Sequence, residues 1–261
     1  MKASFKQNKK NSQSIIENDI KTEIRLNKYI SQSGFSSRRE ADRLIEEGLV
    51  TIDDQRALVG SKVLFGQVVK VRGEVINSFT NKIYIVLHKP TGITTTTDLK
   101  DKDNIVEYLN YQSKVFPIGR LDKDSSGLIL MTNDGDIVNS ILREEYGHDK
   151  EYVVTVDKDI TDEFLKKMAG GVKILNNVTK KYQVTSKALV SKLDRRTFKI
   201  ILTQGLNRQI RRMTNALGYT VKSLKRIRVI NIKLGDLKVG EWRYLTDIEL
   251  KELNRLIKES K

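Results

Sequence analysis

Cysteine is absent from the 261 residues, so disulfides, thiolate nucleophiles and cysteine-ligated zinc are excluded. Imidazole is scarce too: His88 and His148 are the only histidines, which argues against zinc or haem chemistry. No G-x-x-x-x-G-K-[ST] loop is present, and no segment repeats internally. Long hydrophobic runs are missing as well; a stretch such as Leu128 to Met131 falls far short of a membrane span. The first twenty-three residues carry Lys2, Lys6, Lys9 and Lys10 but only Ile15 and Ile16 as an apolar pair, so they hold no signal-peptide core and cytoplasmic residence is expected.

Positive charge is what the chain has in excess. Lysine and arginine number 48 against 33 acidic residues, a net charge of +15, and a field of that sign concentrates polyanions, nucleic acid above all. The apolar content of 38% suffices for a core, and the length predicts a small module joined to a larger domain.

Residues 1–23 are polar, basic and aperiodic, which predicts a disordered tail. From Arg25 the text reads RLNKYISQSGFSSRREADRLIEEGLVTIDD. Leu26, Tyr29 and Ile30 have helical spacing, and Gly34 ends that turn. A second helix follows, opened by the Ser37–Glu40 capping box, striped by Ala41, Leu44 and Ile45, and closed at Gly48. Arg39 and Arg43 lie opposite the stripe with Arg38 at its edge, a face suited to phosphate or simply to water. Val50–Ile52, a turn at Asp53-Asp54 and the alternating Gln67–Val71 complete the module, and residues 73–82 read as a linker. The segment 24–72 resembles the S4-like RNA-binding domain, which implies RNA contact through Lys28, Arg38, Arg39 and Arg43.

From residue 83 to 261, strand-like runs (Ile83–Leu87, Glu151–Val156, Thr197–Leu202, Ile227–Ile232) alternate with helical patterns at Asp136–Arg143, Thr161–Met168 and Asn207–Leu217. This spacing predicts an α+β domain with a mainly antiparallel mixed sheet. A last helix opens with the Thr246–Glu249 capping box and docks through Leu250, Leu253 and Ile257.

Three stretches carry candidate chemistry. In GRLDKDSSGLILMTNDG, residues Asp122, Asp124, Ser126 and Gly127 follow the first half of a calcium loop. The match then fails, because position twelve is Asn133 and the preceding VFPIGRL cannot be an entering helix. An ordinary turn and a catalytic carboxylate remain for Asp122. In QGLNRQIRRMTNALGY, Ile210, Met213 and Leu217 share one helix face while Arg208, Arg211 and Arg212 share the other. Such guanidinium groups hold phosphates and can also sit against a carboxylate. In HDKEYVVTV, Tyr152 opens a strand beside Lys150.

GRLDKDSSGLILMTNDGD with GLNRQIRRM resembles the pseudouridine synthases of the RsuA, RluB, RluE and RluF family, nearest its RluF type, over residues 24 to about 257. The resemblance implies that Asp122 is the catalytic aspartate, that Tyr152 stacks on the target base and that Arg211 pairs with the aspartate and keeps it charged. It also places Arg120 beside an extruded nucleotide, with Lys150, Arg208 and Arg212 as further RNA contacts. One departure is visible: His88 stands before Lys-Pro in VLHKPTGITTTT, where the family usually has Asn. The implied reaction is redox-neutral isomerisation of uridine, with no cofactor and no metal, in a monomer acting on 23S ribosomal RNA or an assembly intermediate. A non-catalytic RNA-binding or ribosome-assembly factor is the competing class. The same chemistry on 16S rRNA or tRNA is a third reading.

Overall fold

The computed structural model describes residues 4–5, 23–64, 66–77, 82–143, 146–176 and 179–260. Most of the expected disordered tail lies outside them. Ser4–Phe5 forms a short strand, β1, that pairs in parallel with Glu241–Trp242 at the far end of the chain.

The N-terminal module begins with β2 (Glu23–Arg25), α1 (Leu26–Gln32) and α2 (Arg38–Glu46). Ser37 caps α2 by accepting from the Glu40 amide, which satisfies one of the helix's orphan donors. Gly48 closes the helix at φ +75°, a conformation costly for a residue with a Cβ. Five strands follow: β3 (Val50–Ile52), β4 (Gln55–Arg56), β5 (Lys62–Leu64), β6 (Val69–Val71) and β7 (Glu74–Ile76). Ala41, Leu44 and Ile45 from α2 pack with Leu26, Tyr29 and Ile30 from α1 on Val50, Val69 and Val71. β7 pairs with β6 and Ile76 joins this core, so residues 74–76 belong to the module and not to the linker expected there.

The large domain starts with β8 (Tyr84–Lys89), α3 (Ile105–Leu109), β9 (Phe116–Ile118), β10 (Ser126–Thr132) and α4 (Gly135–Leu142). Next come β11 (Lys150–Val156), α5 (Asp162–Gly170), β12 (Lys173–Leu175), β13 (Tyr182–Val184), β14 (Leu189–Asp194) and β15 (Thr197–Leu202). It ends with α6 (Gln209–Ala216), β16 (Val221–Val229), β17 (Ile232–Lys233), β18 (Glu241–Tyr244) and α7 (Asp247–Glu259). The strand expected over Ile227–Ile232 is broken by a tight turn, with Ile230 in the left-handed region at φ +54° between β16 and β17. Periodicity could not show that break, because the residues on both sides of it are apolar and buried.

The central sheet runs β1-β18-β8-β10-β16-β11-β15-β14, antiparallel except at β1–β18 and β10–β16. Strand alternation divides its residues between two faces. On one face Tyr84, Val86, Leu128 and Leu130 pack under α4 and α7 through Ile137, Ile141, Leu253 and Ile257. On the other face there are two separate cores. Ile85, Leu87, Ile129 and Met131 pack against α3. Val154, Val156, Phe198 and Ile200 pack against α5 and α6. Between these two cores the sheet carries polar residues, and that gap positions the candidate site.

Candidate active site

Register pairing lays one line of residues across four adjacent strands: Lys89 on β8 opposite Gly127 on β10, Gly127 opposite Arg226 on β16, and Arg226 opposite Tyr152 on β11. Directly paired residues project on the same face. Neighbouring strands are about 4.8 Å apart, so Tyr152 lies two strand spacings, roughly 10 Å, from the start of β10. Asp122 stands four residues before β10 at this level. Tyr152 is half-buried against the core of α5 and α6.

The Asp122 loop is held from both sides. The Asp122 carbonyl accepts from the Ser125 amide at 3.0 Å, closing a turn. Thr95 donates its hydroxyl to the Leu121 carbonyl at 2.6 Å, and the Leu121 amide donates back to the Thr95 hydroxyl oxygen at 3.2 Å. The Gly92 amide donates to the Lys123 carbonyl at 2.8 Å. Both neighbours of Asp122 are thus anchored to the TGITTTT segment, while the Asp122 side chain keeps 30% of its surface open. An ordinary turn does not need such clamping, and it leaves one carboxylate aimed from a fixed frame.

Arg208 is the nearest cation. Its Nη1 lies 3.9 Å from Asp122 Oδ2, and it also makes a bidentate pair with Asp124 at 2.9 and 2.7 Å. That pair holds the Asp124 carboxyl below its ordinary range and raises Arg208. Arg208 occupies the N-cap of α6 with φ +48°, a conformation read from no helical pattern, and this turns its side chain toward the loop. Arg211, expected to pair with Asp122, reaches the loop elsewhere: Nη2 donates to the Asp124 carbonyl at 2.8 Å and the Ser125 hydroxyl at 3.2 Å. Arg212 leaves the site and donates Nη1 to the Leu175 carbonyl on β12.

The other expected RNA contacts are dispersed. Arg120 is exposed beside Asp122, and its carbonyl accepts from Arg226 at 3.4 Å. Lys150 donates to the carbonyls of Thr203 and His148. Arg38, Arg39 and Arg43 are exposed on α2. Lys28 is on another duty: its ammonium meets Asp136 at 2.6 Å and bridges the module to α4. Among the described residues no cluster of three potential ligands exists to hold a metal.

Sequence reading passed over Lys89. It is fully buried, and its ammonium donates to the carbonyls of Pro90 and Ile93 at 2.8 and 2.7 Å, shaping the loop that grips Leu121 and Lys123. Burial pushes Lys89 down to about 8, against the pull of Asp122 and Asp124. An ordinary lysine holds its proton to 10.5, so between these values the unfolded chain binds a proton that the folded chain has released. The Lys89 contribution to stability is therefore fully present above 10.5 and lost as pH falls through about 8. Urea unfolding at pH 7.5 and 10 should show parental stability gaining on that of Lys89→Met with rising pH; parallel pH curves would refute the assignment. His88, one residue earlier, faces the opposite side of the sheet, where Nδ1 donates to the Leu237 carbonyl at 2.7 Å. The departure at His88 thus leaves the site untouched.

A clamped carboxylate among arginines, in a gap on a mixed sheet, beside a separate basic module, is the apparatus of an enzyme that works on a polyanion. Residues 83–216 match the RNA pseudouridylate synthase family and residues 24–69 match the S4 domain. The chain is 53% identical to the dual-specificity RNA pseudouridine synthase RluF of Escherichia coli K12, over 91% of this chain and 80% of that one. It is 34% identical to the ribosomal large subunit pseudouridine synthase B of Bacillus subtilis, over 91% and 98%. A solved pseudouridylate synthase superposes with a TM-score of 0.62 at 26% identity, covering 89% of this chain and 99% of that one. The chain belongs to the RNA pseudouridylate synthase family and is an isomerase acting on RNA.

Proposed function

We propose that the protein converts a specific uridine of large-subunit ribosomal RNA to pseudouridine, with Asp122 as the catalytic residue. The observation that carries this reading is the Asp122 carboxylate, fixed through both neighbours and facing Arg208. A pure RNA binder gains nothing from an acidic group there, since it repels phosphate. In the reaction the bond from N1 to C1′ breaks, the base turns while held, and C5 joins C1′; the C5 proton is lost and N1 gains one. Asp122 interacts with the reacting nucleoside, Arg208 and Arg211 keep the field positive, and Tyr152 offers the flipped base a surface whose stacking offsets part of the few kcal/mol spent on unstacking. The ribosomal target is supported by the relative whose name specifies the large subunit, and the words "dual-specificity" in another favour a second RNA. Mapping pseudouridine across total RNA from cells with and without the protein tests this; identical maps would end it.

The N-terminal module supplies backbone grip through Arg38, Arg39 and Arg43, whereas Lys28 orients the module on α4. Replacing the three arginines with alanine is expected to flatten the slope of log affinity against log salt by about 2 to 3, at roughly 0.7 to 0.9 per phosphate contact. Filter binding over a salt series measures it, and an unchanged slope would remove these residues from the interface.

A further inference from the structure

The hairpin of β12 and β13 exposes its apolar residues. Lys173 pairs with Val184 and Leu175 with Tyr182, so these four side chains share one face. Ile174, on the opposite face, is buried in the core of α5 and α6. The outward face leaves Tyr182 67%, Val184 65% and Leu175 41% exposed. Water-facing strand positions normally carry polar side chains, so a tyrosine, a valine and a leucine together there need a partner.

The charge around this face names the partner. Gly171 to Ala188 contains four lysines and no carboxylate. The Lys173 ammonium lies 5.4 Å from the centre of the Tyr182 ring, and Lys180 and Lys181, the two residues before Tyr182, are exposed. The hairpin is cross-bonded: at the base Val172 and Thr185 bond each other, and Asn176 bonds across to Lys181 and Gln183. It is also tied to the candidate active site, because Arg212 of α6 holds the Leu175 carbonyl. Arg208, which faces Asp122, is the N-cap of the same helix, four residues before Arg212.

We propose that this face is a stacking platform for unpaired RNA bases flanking the target uridine, with Tyr182 as the base-stacking surface and Lys173, Lys180 and Lys181 engaging the adjoining phosphates. The inference rests on the RNA-isomerase reading and adds a specificity element to it. A flat aromatic with a lysine at its ring takes any base, so the platform measures single-strandedness beside the target.

The test uses the full-length chain and two probes, a fluorescein-labelled ten-nucleotide oligouridylate and ribosomal RNA from cells lacking the protein. Tyr182→Ala is expected to weaken oligouridylate binding about 5- to 10-fold and Tyr182→Phe less than about twofold, because the stacking surface is retained. Tyr182→Trp should bind like the parent, and its added emission should be quenched by the oligonucleotide. With ribosomal RNA, Tyr182→Ala should raise KM and leave kcat unchanged. Since Tyr182 is exposed, its melting temperature should match the parent's, which separates this role from a structural one. If the parent makes no pseudouridine, the isomerase reading falls while oligouridylate binding still decides the platform. Equal affinities of parent and Tyr182→Ala overturn it, as does a change confined to sedimentation, which would make the face a contact between two copies of the chain.

Discussion

Asp122→Asn is expected to lower pseudouridine formation by at least about 10⁴-fold, the scale of losing a residue that takes part directly in bond making. The change is nearly isosteric, and what positions residue 122 is backbone: the turn to Ser125 and the bonds on Leu121 and Lys123. The frame should therefore survive while the carboxylate does not. RNA affinity should hold or rise slightly, because losing one negative charge leaves Arg208 and Arg211 less opposed in attracting phosphate. Tritium release from RNA labelled at C5 of uridine reports turnover, and filter binding reports affinity. Turnover at the parental rate would remove Asp122 from the chemistry.

Gly127→Ala is expected to cost about 4 kcal/mol or more, placing it among the exceptional single substitutions. At φ +112° a Cβ is strained whatever surrounds it. Here the surroundings also forbid it: the added carbon would lie 2.2 Å from the Arg226 carbonyl oxygen and 2.6 Å from its nitrogen. Both are backbone atoms in the strand paired with β10, so no side-chain rotation relieves the overlap. β10 and β16 would have to separate, dividing the line of residues beside Asp122. Thermal unfolding should show a midpoint lowered by about 10 °C or more, or insoluble protein. A midpoint within about 2 °C of the parent's would show that the pairing is looser than the register implies.

Local sequence patterns specify the elements that local forces decide. The α2 stripe and its Ser37 cap, the Thr246–Glu249 box of α7, and the strand Thr197–Leu202 all depend on residues within a few positions of one another. β7 was missed because its Glu-Val-Ile has meaning only beside β6. The approach of Arg208 to Asp122 is likewise not written in local spacing. Helical spacing groups Arg208 with Arg211 and Arg212, but Arg208 sits at the N-cap in a left-handed conformation and leaves the helical path.

By itself, the sequence determined that the chain holds a basic module and a larger α+β domain, that its partner is a polyanion, and that Asp122 lies in a motif resembling a catalytic one. The first two follow from composition and short-range spacing, the last from the resemblance of the GRLD stretch. Packing in three dimensions is what makes Thr95 and Gly92 clamp the residues on either side of Asp122, lets buried Lys89 shape their loop, and commits Lys28 to Asp136. The Thr95, Gly92 and Lys28 contacts join groups 26 or more residues apart along the chain, and Lys89 is buried only because β8 lies inside the sheet. A hydrogen bond is satisfied by distance in space, and separation along the chain carries no record of it.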